Sequence, residues 1–312
     1  MQSERALLVI LVIILQGIGL VMIYDSSAIY ANEAPSIHDS DFFLKRQLVW
    51  VGLGVIALAV LSLVDYRLLI GNALPIFGLS LLSLVLVFVP DIGVKANESY
   101  RWLRIGGKMV QPSEFAKLTS ILFLSFALSR NARPGRQAKY PPAVKNLLLS
   151  LSGIGLCAGL ILLEPDFSST AIVGLLAFIM LFASGTKLRY LFCLVAASVG
   201  VLGYKVYTSS YQLVRILAFL DPAGHQTGVA YQQTQSLLAL GTGGIFGMGL
   251  GLGRQKLGFL PYLYNDFVGA SVGEQAGFMG MCVLICLLAL FVILGFRIAF
   301  RARHLEGYLI AV

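Results

Sequence analysis

The sequence predicts an all-α, polytopic helical membrane protein, and three observations predict it. Of its 312 residues, 58% are hydrophobic and only 12% are charged, whereas charged residues make up about a quarter of an ordinary soluble chain. Mean hydropathy is +0.84. The apolar residues fall in repeated blocks near the length that crosses a bilayer, about 17 to 25 residues of helix. A soluble domain is excluded. A formal charge of +8 would suggest nucleic acid in a soluble chain. Here the basic residues sit in short loops between apolar blocks, where they orient the protein, so no nucleic-acid partner is expected.

Eight spans can be read in order: 6–24, 48–64, 68–89, 112–129, 147–163, 170–184, 190–204 and 275–296. The first contains 19 residues, longer than the apolar core of a signal peptide at about 7 to 15, so it reads as a retained anchor. The apolar block from Lys117 to Ser129 is too short to cross alone, which predicts a helix reaching back to Pro112, a residue suited to a first helical turn. The seventh and eighth spans are separated by residues 205–274, a connection long enough to carry function or elements of its own.

With the N-terminus in the cytoplasm, the inner segments hold 12 of the 23 Lys and Arg in about 46 residues, against 11 in about 127 outside. The run from Arg130 to Lys145, which includes Arg133, Arg136 and Lys139, is the strongest vote for this orientation. Of the 15 acids, only Glu4, Asp65 and Glu306 fall inside, so polar chemistry is expected on the outer face. Cys157, Cys193, Cys282 and Cys286 lie within spans, where they act as small hydrophobes and support no disulfide framework or zinc site. The spans carry no charge between their interfacial ends, which disfavours an ion-coupled transporter.

Four outer segments carry the unusual residues. In the first, Asp39-Ser40-Asp41 has the spacing of a metal-binding D-x-D. Nothing around it resembles a nucleotide fold, and it is given no role. In the second, Glu114 and Lys117 lie three apart, share a helix face and can pair; taken alone, a helix start is the favoured account over a site. The third, Glu164-Pro165-Asp166-Phe167-Ser168-Ser169-Thr170, ends one helix at proline and offers Asp166 or a serine as the next cap. Glu164, at the end of an apolar helix, is harder to explain by structure alone.

The fourth segment, the long connection, contains Tyr231 to Ser236 and then seven glycines among the thirteen residues from Gly241 to Gly253. The run matches neither a dinucleotide fingerprint nor a P-loop, so close backbone packing or a re-entrant turn is expected. Asp266 follows, flanked by apolar residues near the membrane, where desolvation would make a carboxylate a useful base. An interfacial cap is the competing account.

Read in order, Tyr24 to Ala28, Phe43 to Gln47, Arg101-Trp102-Leu103, Gln111 to Lys117, Glu164-Pro165-Asp166, Tyr231 to Ser236, and Lys256 to Phe267 followed by Gly273-Glu274 resemble the SEDS family (shape, elongation, division and sporulation). The segment from Gln235 to Leu257 looks more like the division and sporulation branch, FtsW and SpoVE, than the elongation branch of RodA, whose fold it would share. The resemblance implies a peptidoglycan glycosyltransferase that polymerises lipid II and releases undecaprenyl pyrophosphate. It also implies a multi-pass protein of the bacterial cytoplasmic membrane with its active site on the outer face. The implied partners are a class B penicillin-binding protein and other division or elongation proteins.

Asp266 matches the family's essential aspartate and is expected to be the catalytic base. Tyr262 stands where the family usually has glutamate, and Asn265 where it has threonine. The expected substrate-binding residues are Lys117, Glu114, Arg101, Asp166, Arg215, Arg254, Lys256, Gln235 and Ser236, with no metal ligand named. Glu114 and Asp166 would orient Lys117 or hold a divalent ion, and both roles stay open. The family has ten spans, so residues 1–312 read as one integral-membrane domain that lacks the last two, with 205–274 as a large extracytoplasmic loop carrying the site. The competing functions are a lipid II flippase and a non-enzymatic scaffold for the transpeptidase.

Overall fold

The computed structural model describes residues 2–312 other than 36, 97–98, 131–141 and 222–229. Arg133, Arg136 and Lys139, on which the orientation argument leans, therefore lie outside the described residues. The chain divides into two compact units, one of residues 1–63 and 205–294, the other of residues 64–204 and 295–312.

The first unit begins with α1 (Gln2–Glu33) and α2 (Phe42–Leu63), which pack together. No residue of α2 is buried, as expected of an apolar helix whose solvent is lipid. The long connection supplies α9 (Ser210–Leu220), α10 (Tyr231–Gly243), the glycine-rich turns and a short 3-10 turn (Gln255–Leu257) that packs on α1. α11 (Val268–Phe300) follows, with a break in its helical geometry at Gly277.

The second unit holds α3 (Tyr66–Gly71) and α4 (Ala73–Leu86), then α5 (Pro112–Ser129), α6 (Val144–Leu163), α7 (Phe167–Ala183) and α8 (Leu188–Thr208). The end of the chain adds α12 (Leu305–Ala311), which packs on α5. Its core is apolar and centred on α5: Phe77 stacks on Phe123 at 4.3 Å, with Leu124, Leu147, Ile154, Ile161, Val173 and Leu181 around them. A Cβ on Gly153 would sit 2.3 Å from the Phe123 ring, so glycine there admits the aromatic.

Every predicted span coincides with a helix. The third is divided at Asn72, which closes α3 by donating its side-chain amide to the carbonyl of Leu68. Among the described residues, five helices, α1, α2, α6, α8 and α11, are long and apolar enough to cross a membrane. The sequence reading missed a small antiparallel sheet, β1 (Gly93–Ala96), β2 (Ser99–Ile105) and β3 (Lys108–Val110), in that order. Gly106 and Gly107, both at positive φ, close the β2–β3 hairpin, as a tight two-residue turn requires.

Candidate active site

The expected site residues fall into two groups, one on each unit. In the first unit, Asp266 lies on the turn-rich segment between the 3-10 turn and α11, and several contacts pin that segment. Leu260 and Leu263 are buried with Ala239 of α10 and Ala270 of α11. Tyr231 of α10 donates its hydroxyl to the carbonyl of Phe259 at 2.8 Å. Tyr264, two residues before Asp266, stacks on Tyr30 of α1 at 5.6 Å and meets Phe43 of α2 at 4.4 Å. Tyr262 adopts φ 57°, in the left-handed region that costs a bulky side chain energy, and its carbonyl accepts the N–H of Asn265 at 3.0 Å.

On this pinned segment Asp266 is exposed, and among the described residues its carboxylate has no hydrogen bond or ion pair. Both oxygens are open to accept a proton from an incoming hydroxyl.

The glycine-rich run does what close packing requires. The N–H groups of Met248 and Gly249 donate to the carbonyls of Glu274 and Gln275, and Phe278 and Met279 return N–H bonds to Gly244 and Ile245. A Cβ on Gly243 would lie 2.0 Å from the carbonyl oxygen of Gly273, and one on Gly247 2.1 Å from that of Gln275. The run thus docks, backbone to backbone, on α11 around its break at Gly277.

Two acids and a glutamine hold the turn beyond it. Buried Glu274 accepts the backbone N–H of Arg254 at 2.8 Å and of Gln255 at 3.3 Å. Lys256 donates to Asp25 of α1 at 2.6 Å and to the carbonyl of Gly251 at 2.7 Å. Gln275 donates to the other oxygen of Asp25 at 2.5 Å and accepts the Gly251 N–H at 2.8 Å. Arg254 leaves its side chain exposed. Gln235 and Ser236 are half-buried on α10, where Ser236 bonds back to the carbonyl of Gln233. Arg215 lies on α9, and its side chain is outside those described.

In the second unit, Lys117 and Glu114 pair at 2.8 Å in the first turns of α5, the lysine largely covered and the acid largely open. Asp166 caps α7, accepting the Ser169 N–H at 3.1 Å. Its other oxygen accepts from Gln111 at 2.9 Å and Ser113 at 3.3 Å, tying the start of α5 to the start of α7. Asp166 thus ties the starts of α5 and α7 together, and Glu114 is the acid paired with Lys117. Among the described residues no cluster of three or more His, Cys, Asp or Glu could hold a metal ion.

Arg101, on β2, donates to the carbonyls of Glu164 and Pro165 and so fastens the sheet to the α6–α7 connection. Glu164 is fully buried with neither carboxylate oxygen hydrogen-bonded. Burial pushes its carboxyl up to about 8, with neighbouring Asp166 adding to the rise and Arg101 opposing it. A neutral acid at this position is cheaper than an uncompensated charge.

Sequence reasoning missed Asp25, Gln111, Ser113, Tyr264 and Gln275. The polar residues Gly273-Glu274-Gln275, which fall inside α11, were visible in the sequence, but their partners were not. Asp25 directly follows the apolar block and reads as the start of a loop, whereas α1 carries it within a continuous helix to Glu33.

Residues 5–312 match the family of cell cycle proteins comprising FtsW, RodA and SpoVE. The chain is 36% identical over 307 residues to the probable peptidoglycan glycosyltransferase FtsW of Trichlorobacter lovleyi, covering 98% of this chain and 78% of that protein. It is 35% identical over 313 residues to the stage V sporulation protein E of Bacillus subtilis, covering 99% and 83%. Among solved structures it resembles a chain of a peptidoglycan synthase complex that coordinates polymerization and crosslinking, with a TM-score of 0.73 and 28% identity over 97% of this chain and 80% of that one. It also resembles the rod shape determining protein RodA of Thermus thermophilus, with a TM-score of 0.62 and 27% identity over 97% and 78%. An inner-membrane protein with several crossings, the chain belongs to the FtsW/RodA/SpoVE family.

Proposed function

We propose that the protein is a peptidoglycan glycosyltransferase that polymerises lipid II, with Asp266 as its general base. The observation that carries the assignment is an exposed carboxylate, free of internal partners, on a segment held by apolar, aromatic and hydrogen-bonded contacts. In the reaction, the 4-hydroxyl of the acceptor N-acetylglucosamine attacks the anomeric carbon of the donor muramyl unit. Asp266 takes the hydroxyl proton as the C–O bond forms, and undecaprenyl pyrophosphate leaves from the opposite face with the bonding electrons. One displacement inverts the anomeric centre, so a single carboxylate suffices.

Exposed Arg254, on the same unit, is assigned to the anionic leaving group, where a bidentate cation stabilises developing charge. Lys117 is assigned to lipid II handling, with Glu114 orienting it. A class B penicillin-binding protein is the partner that crosslinks the product. The N-terminus lies in the cytoplasm and Asp266 on the outer face, consistent with the density of basic residues in the alternate loops.

The test is polymerisation of purified lipid II by the purified protein, with and without its partner. Release of undecaprenyl pyrophosphate together with β-linked glycan supports the assignment. Transbilayer movement of lipid II without glycan would instead identify a flippase, and stimulation of the partner alone a scaffold. For orientation, a single cysteine at Asn265 should react with an impermeant maleimide added outside intact cells; reaction only after lysis would reverse the topology.

A further inference from the structure

We propose that Asp25, Lys256 and Gln275 form a clamp that positions the segment carrying Asp266, and that Lys256 acts there as a positioning residue and binds no substrate. The proposal rests on the glycosyltransferase reading above for its kinetic consequence and on geometry for the clamp itself.

Lys256 has no charge to spare. Its ammonium meets Asp25 at 2.6 Å and the carbonyl of Gly251 at 2.7 Å, and the two side chains are only 11% and 18% exposed. The pair joins residues 231 positions apart. Gln275 closes the group, since its amide spans the second oxygen of Asp25 and the N–H of Gly251, and also reaches Ser271, which accepts from Ser26. One helix at the start of the chain, one turn and the first half of α11 thereby meet through a single set of hydrogen bonds. Breaking a buried pair of this kind leaves an uncompensated charge and displaces what it held.

Glu274 shows what the clamp is for. It takes the N–H groups of Arg254 and Gln255 from the other side of the same turn, so the backbone from Gly251 to Lys256 is fastened along its length. The exposed guanidinium of Arg254 projects from this turn, and the segment that ends at Asp266 starts from it. Of the two cations, the arginine is free to meet an anion and the lysine is not.

The experiment uses the full chain with its class B penicillin-binding protein and purified lipid II. Asp25→Asn and Lys256→Met should each lower kcat by about 100-fold, the scale on which small misplacements act, with KM within about twofold. The double variant should be no worse than either single one, and the exchange Asp25→Lys with Lys256→Asp should recover part of the loss. Arg254→Ala, which removes a charge that stabilises the leaving group, should lower kcat as well. A raised KM for Lys256→Met with an unaffected Asp25→Asn enzyme would make Lys256 a substrate ligand and overturn the clamp. So would single effects that multiply in the double variant.

Hydrogen exchange separates this inference from the assignment of function. The amides of Gly251 and Arg254 should lose protection in Asp25→Asn and Lys256→Met and keep it in Asp266→Asn. Unchanged protection in the two clamp variants refutes the clamp whether or not the protein polymerises lipid II.

Discussion

Lys117 and Lys256 are each held by an acid, at 2.8 and 2.6 Å, but the surroundings give the two pairs different uses. Glu114 sits one helical turn from Lys117 and keeps 61% of its side chain exposed, so the pair is screened and the lysine can exchange partner for an anionic ligand. Asp25 reaches Lys256 from a distant helix, in a setting where Gly251 and Gln275 complete the hydrogen bonding. The carboxylates divide in the same way. Asp166 spends both oxygens on Ser169, Gln111 and Ser113, whereas Asp266 spends neither. Availability, more than charge, separates the groups left open to a ligand from those spent within the fold.

If close backbone packing is what holds the Asp266 segment, the largest structural loss should come from the glycine-rich run. Gly247→Ala would force a side chain onto φ +82° and within 2.1 Å of the Gln275 carbonyl. Strain and overlap together should cost about 3 kcal/mol, read as a lowered unfolding midpoint in detergent. A variant as stable as the parent would mean that the run is not packed as described. Next comes Asp166→Ala in the other unit, which removes a cap and strands two donors, for a loss of about 2 kcal/mol.

Glu164→Gln tests the buried carboxyl through its pH dependence. Because the folded state holds the proton more tightly than the unfolded chain, its contribution to stability is complete below the ordinary value of 4.5. It declines as pH rises toward about 8. The glutamine variant should lose that slope between pH 5 and 8 and be the more stable form at the upper end. A parent whose unfolding midpoint shows no such decline would contradict the burial of an unpartnered acid. The smallest effect belongs to Glu114→Gln, whose exposed ion pair should cost less than about 1 kcal/mol while weakening lipid II handling through Lys117. A large stability loss there would erase the contrast between the two lysines.

What the sequence revealed and what it hid follow from the range of each interaction. The spans were legible because each is a block of apolar residues whose length the bilayer dictates. The start of α5 at Pro112, the Glu114–Lys117 pair and the Asp166 cap were legible because their partners lie within four residues. The sheet at 93–110 was hidden because its strands are short and sit beside stronger apolar signals. Asp25, Tyr264 and Gln275 were hidden because their meaning lies in partners that only folding brings near. Asp266 stood out by motif, but its lack of internal partners could be learned only from the structure.

The most direct measurement is the turnover of lipid II by Asp266→Asn in the full chain, assayed with its penicillin-binding protein partner. Loss of a general base should lower kcat by about 100- to 10,000-fold, while membrane insertion and the unfolding midpoint stay at parental values. Near-parental glycan synthesis by that variant would remove Asp266 from the chemistry and the account with it.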